Sequence, residues 1–186
     1  MPAGHRVRMA LACCYWPWAW PAPGGLRLRV RVGGEAALTL PVREPQAMDL
    51  ALPLLPPPEP APPPTHAQLA PVEVRRSVRR DVASGRLESE SDLSYFGAFR
   101  LSDGLEYSER GRDSFSVVEG DPLSAEARSW WEISVGRGVW QTRVAVESSL
   151  RADETRFQLE DVLEAFEADE RVFSERWTAE IPRDHA

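Results

Sequence analysis

The chain has 186 residues, its 22 basic side chains are all Arg, and 29 acidic residues leave a formal net charge of −7. That length suits one domain, or two small ones sharing a sheet, and 42% apolar residues with seven Trp are enough for a core. The absence of lysine excludes a lysine nucleophile, a Schiff base and a P-loop lysine. Met9–Leu26, free of charge, is broken by prolines and glycines and cannot be a bilayer-spanning helix.

Residues 1–71 carry six Arg against four acids, and 72–186 sixteen Arg against twenty-five. The acidic second part argues against nucleic acid as a partner, since phosphate binding needs a net basic face. Cys13 and Cys14 are adjacent, so no disulfide framework is available and a reducing, cytoplasmic location is expected. Arg6, Arg8 and the run up to Cys13 imitate a lipoprotein signal, but the apolar run is below the ~7–15 residues of an h-region. The expectation is a protein without a membrane anchor.

In chain order, 1–42 reads as strands. Val7, Met9, Leu11 and Cys13 alternate with Arg6, Arg8, Ala10 and Ala12, the period of a half-buried strand. Leu26, Leu28, Val30 and Val32 alternate with Arg27, Arg29 and Arg31; Gly33-Gly34 offers a tight turn and Ala36–Leu40 a returning strand. The segment 43–71 is dense in proline and reads as an extended strap or linker, because proline removes the amide donor and fixes φ.

From 72 to 186 the pattern is an antiparallel β-meander. Val72, Val74, Val78 and Val82 share a face up to Ser84-Gly85. Phe99–Leu101 stops at Ser102-Asp103-Gly104, and Phe115–Val118 stops at Glu119-Gly120. Trp131, Ile133 and Val135, then Trp140, Thr142, Val144 and Val146, predict a long hairpin over 125–150. The stretch 154–168 fits a helix through Leu159, Val162, Leu163 and Phe166, and a strand through Thr155, Phe157, Leu159 and Leu163. Its place among hairpins favours strand. Phe173, Trp177 and Ile181 lie on one face of a closing strand.

Catalytic machinery is not evident. No Gly-x-Ser-x-Gly elbow occurs, and His5, His66 and His185 read as surface or turn residues. Neither Cys-x-x-Cys nor His-x-x-x-His spacing occurs, and the acids at 160, 161, 164, 167, 169 and 170 lack calcium-loop spacing. No cofactor, metal or catalytic residue is therefore expected. Tyr15, Trp16, Trp18 and Trp20 are the candidate site. They read either as a buried or interface cluster, which their combined apolar area favours, or as a sugar-stacking platform.

Several blocks, taken in order, carry a family likeness. Pro2–Leu11 followed by Tyr15-Trp16-Pro17, then Trp20–Pro23, Leu40–Arg43, Arg80–Gly85, Glu119–Ala125, Asp169–Phe173 and Ile181–Asp184 resemble the C-terminal β domain of the cocaine-esterase and X-Pro dipeptidyl-peptidase (CocE/NonD-type) serine hydrolases. The resemblance implies a jelly-roll β-sandwich packed against an α/β-hydrolase domain whose Ser-Asp-His triad does the chemistry. None of the matching blocks holds a triad residue. The chain is therefore expected to be mainly β, a partial jelly roll (1–42) followed by a meander (72–186) with little or no helix. Its expected role is non-catalytic, with an α/β-hydrolase domain or a second copy as partner, and Met1 just before a strand suggests a truncated product or half of a split enzyme.

Overall fold

The computed structural model describes residues 4–24, 26–34, 37–41, 43–44, 46–47, 55–59, 61–62 and 65–183. Readings that involve Pro2, Ala3, Ala36, Val42, Asp184 or His185, and parts of the proline run, lie outside the described residues. The chain forms two compact units, Met1–Arg27 with Thr65–Ala186, and Leu28–Pro64. In the second unit the described residues form no strand, and Gly33 and Gly34 both take positive φ, 88° and 63°. The turn expected there is formed, but 28–32 and 37–40 are not hydrogen-bonded as a hairpin ladder.

The first unit is antiparallel and mainly β. Its strands are β1 (His66–Ala70), β2 (Glu73–Arg80), β3 (Arg86–Ser94), β4 (Ala98–Leu101), β5 (Glu106–Val118), β6 (Asp121–Arg137), β7 (Trp140–Ala152), β8 (Arg156–Glu167) and β9 (Glu170–Pro182). From β5 to β9 each strand pairs with the next in sequence. On the other side of β5 the sheet forks: β4 pairs with Glu106–Ser108 and carries β1, while β3 pairs with Arg112–Val118 and carries β2.

Within the stretch 154–168, Arg156–Glu167 is strand, as its hairpin neighbours favour. His66–Ala70, read from sequence as the end of the proline strap, is a strand, and His66 packs edge-on to Phe99 at 5.5 Å. Among the described residues, 7–13 and 26–32 are not assigned to strands. Alternation selects a face for a segment, but a strand also needs a neighbouring row of donors and acceptors.

Turn chemistry sets the hairpins. Asp81 Oδ1 accepts the Ala83 and Ser84 amides at 2.9 and 3.2 Å, and Asp153 Oδ1 accepts those of Thr155 and Arg156 at 2.7 and 2.8 Å. These amides hold both carboxyls below the ordinary aspartate value.

Partners across a ladder share a face, so the register sorts every side chain. One face carries Phe115, Trp131, Ile133, Val146, Leu150, Leu163 and their row neighbours. The other is tiled with cross-strand ion pairs, among them Arg79–Glu88, Arg112–Asp92, Arg143–Glu132, Arg151–Glu126, Arg176–Glu160 and Arg171–Glu164. Burial lifts the Glu126 carboxyl, but the Arg151 and Arg128 guanidiniums outweigh it and leave its pKa below the ordinary value. Among the described residues few apolar side chains are buried: Leu93, Ala125, Ala152 and Pro21. The sheet thus has an apolar face, and among the described residues of this unit no second sheet is layered on it.

Candidate functional site

The candidate aromatics lie at one end of the apolar face. The Trp16–Pro17 peptide is cis, and the Ala19 amide donates to the Tyr15 carbonyl at 2.8 Å, closing the segment into a compact turn. That turn separates the four rings by role. Trp16 and Trp20 meet edge to face at 4.7 Å and rest on the sheet, Trp16 against Phe115 at 6.1 Å and Trp20 against Phe157 at 5.7 Å. Tyr15 and Trp18 point outward, 66% and 82% exposed. One pair is therefore packed and the other is displayed.

Arg183 clamps this turn to the sheet. Its Nη2 donates to the Pro21 carbonyl at 2.6 Å, its Nη1 to the Asp153 carbonyl at 2.8 Å, and its guanidinium lies 4.9 Å from the centre of the Phe157 ring. Sequence reasoning assigned Arg183 no structural role. Its only signal was membership of the Ile181–Asp184 block. The Trp20 indole N–H is buried without an acceptor.

Beside the turn, Cys13, Cys14, Trp16, Pro21, Leu26 and Val117 line an apolar hollow of about 420 Å³. Both thiols are free and exposed. A second, polar hollow of about 600 Å³ lies at the fork, where Arg75, Asp92, Arg112, Trp130 and Glu132 face solvent. Arg112 there is already held by Asp92 at 2.9 Å, and Glu132 by Arg143 at 3.1 Å.

The buried carboxylate at the fork, Glu109, is fully engaged. Oε1 accepts the Phe96 amide at 2.9 Å and Oε2 the Tyr107 hydroxyl at 2.7 Å, which ties the β3–β4 connection to β5. Burial, reinforced by Glu109, pushes the Tyr107 phenol up to about 12. Ser94 and Ser129 hydroxyls are spent on the Glu109 carbonyl and the Asp113 carboxylate. The acidic run of β8 is divided by strand alternation: Glu160 and Glu164 bind Arg176 and Arg171 on the charged face, and Asp161 lies on the apolar one. These groups are engaged in holding neighbouring strands and turns together.

No family model, curated protein or solved structure matches this chain.

Proposed function

We propose that this chain is the non-catalytic C-terminal portion of an X-Pro dipeptidyl-peptidase or cocaine-esterase-like serine hydrolase, supporting or capping the active site of an α/β-hydrolase domain that this sequence does not contain. The observation that carries the reading is the one-sided sheet. Its charged face carries a series of cross-strand ion pairs, while its apolar face is covered at one end by Trp16 and Trp20 and elsewhere leaves Ile133, Phe173 and Trp177 between 37% and 47% exposed. An apolar sheet face is stable in water only when another layer covers it. The ordered sequence blocks named above support the family, and the paired free thiols support a reducing, cytoplasmic setting.

Two measurements test the proposal. The purified chain should turn over no p-nitrophenyl ester, and it should bind a separately expressed α/β-hydrolase domain of that family. Ester turnover that disappears when a serine of this chain is changed to alanine overturns it. A second reading, a carbohydrate-binding module, is favoured only by the display of Tyr15 and Trp18. Sugar-dependent quenching of tryptophan fluorescence, lost in Trp18→Ala, would select it.

A further inference from the structure

We propose that Cys13 and Cys14 form a chelating dithiol for trivalent arsenic, with the apolar hollow beside them taking up the carbon substituent that the arsenic carries. The inference stands apart from the scaffold reading and does not rest on it.

Two cysteines on one hollow are the first observation. Neighbours in an extended strand stand on opposite faces, but the chain bends at Cys13, and both cysteines line the same hollow. Both are free and exposed, so a ligand reaches them without any strand opening. Direct closure to a disulfide is disfavoured. The two Cα atoms stand about 3.8 Å apart across their trans peptide, against about 4.4–6.8 Å for ordinary disulfide partners. An atom inserted between the sulfurs removes that constraint, since two bonds of about 2.3 Å span up to about 4.6 Å.

The donor set selects the ligand. Among the described residues no group of three His, Cys, Asp or Glu could hold a metal ion. A zinc ion, which takes four ligands in a structural site, would find half its shell here. Trivalent arsenic bearing one carbon group is complete with two thiolates, and soft sulfur suits a soft acceptor of this kind. The reaction balances without an oxidant. R–As=O and two S–H groups give R–As bonded to both Sγ atoms, and the arsenic oxygen leaves as water with the two thiol protons. Arsenic stays trivalent throughout.

The hollow supplies the remaining contact. Trp16, Pro21, Leu26 and Val117 line its about 420 Å³ beside the cysteines. Leu26 is 58% exposed, which leaves apolar surface that a phenyl group would cover.

Phenylarsine oxide and inorganic arsenite, each added to the full chain against excess glutathione, test this, with bound arsenic read from the intact mass. The wild-type chain should hold one phenylarsenic group, and Cys13→Ser and Cys14→Ser should each cut retention at least about tenfold. Its preference for phenylarsine oxide over arsenite should exceed that of dithiothreitol by about tenfold. Leu26→Asp should bring that preference down towards dithiothreitol's, while arsenite retention and the far-ultraviolet circular dichroism stay unchanged. Either serine variant holding the phenylarsenic group as tightly as the wild type, or a wild-type preference no greater than dithiothreitol's, overturns the proposal.

Discussion

Trp131 lies flat across Gly111 on the neighbouring strand, its ring atoms 2.8 Å from where a Cβ on residue 111 would stand. The glycine is needed for space, not for its backbone angle. An indole seated on a glycine covers the exposed β5 backbone and recovers the side-chain area the glycine lacks. Gly111→Ala should lift the ring and cost about 1–3 kcal/mol, the usual range for overpacking, read from the midpoint of urea unfolding.

Gly97 is constrained more severely. It has φ of 64°, and a Cβ there would stand 2.5 Å from the Ala70 and Pro71 carbonyl oxygens. Backbone atoms cannot swing aside as an indole can. Gly97→Ala should therefore cost more than Gly111→Ala and should loosen the β1–β4 arm, seen as faster amide exchange in Gln68 and Phe99. Equal costs at the two glycines would contradict this account.

The β8–β9 turn contains the opposite case. Ala168 is a non-glycine residue at a φ of 50°, in the left-handed region, with its amide bonded to the Gln141 carbonyl at 2.8 Å. Ala168→Gly should stabilise the chain by about 0.5–1 kcal/mol, strain relief exceeding the extra freedom of the unfolded glycine. A lowered thermal midpoint in that variant would show that the turn is not strained.

Acid and alkali act on different groups. The folded-state pKa values of Asp81 and Asp153 are depressed by backbone amides. Their contribution is present above the unfolded aspartate value and is lost as pH falls through the lower folded one. Stability should therefore drop on acidification, and Asp153→Asn should flatten that drop. Tyr107 behaves inversely. Its folded pKa, about 12, exceeds the ordinary value of 10, so its contribution is present below pH 10 and lost as pH rises towards 12. Ultraviolet titration should show a late phenol ionisation that Tyr107→Phe removes.

Trp16 and Trp20 should respond unequally to replacement. Trp16 packs on both Trp20 and Phe115, whereas Trp20 also buries an N–H without an acceptor. Trp20→Phe removes that unsatisfied donor, worth about 1–3 kcal/mol, and so offsets part of the lost ring area. It should destabilise less than Trp16→Phe, with the two compared by thermal unfolding.

How much of this could be read from sequence follows from the two faces. β6, β7 and β9 were legible because Trp131, Ile133 and Val135, then Val144 and Val146, then Phe173 and Trp177, alternate with polar residues as half-buried strands do. β3 was not: Leu87-Glu88-Ser89-Glu90-Ser91-Asp92-Leu93 puts serines on the apolar face and acids on the other, so no hydrophobic period survives. The first half of β5 is masked in the same way by Glu109, Gly111 and Asp113, whose neighbours Tyr107, Trp131 and Ser129 give them partners only once the strands have met. The aromatic turn was found by composition. Its division into a packed and a displayed pair depends on backbone geometry around Pro17, which residue types alone do not specify.

The order of the strands has a kinetic side. Between β5 and β9 each strand joins the next through a short hairpin, so native pairings are separated by little chain for an all-β structure. Zippering can proceed hairpin by hairpin outward from β6–β7, and β9, made after β8, adds its ladder to strands that are already paired. Loss of the final strand should then peel one layer of ladder and leave the preceding register in place.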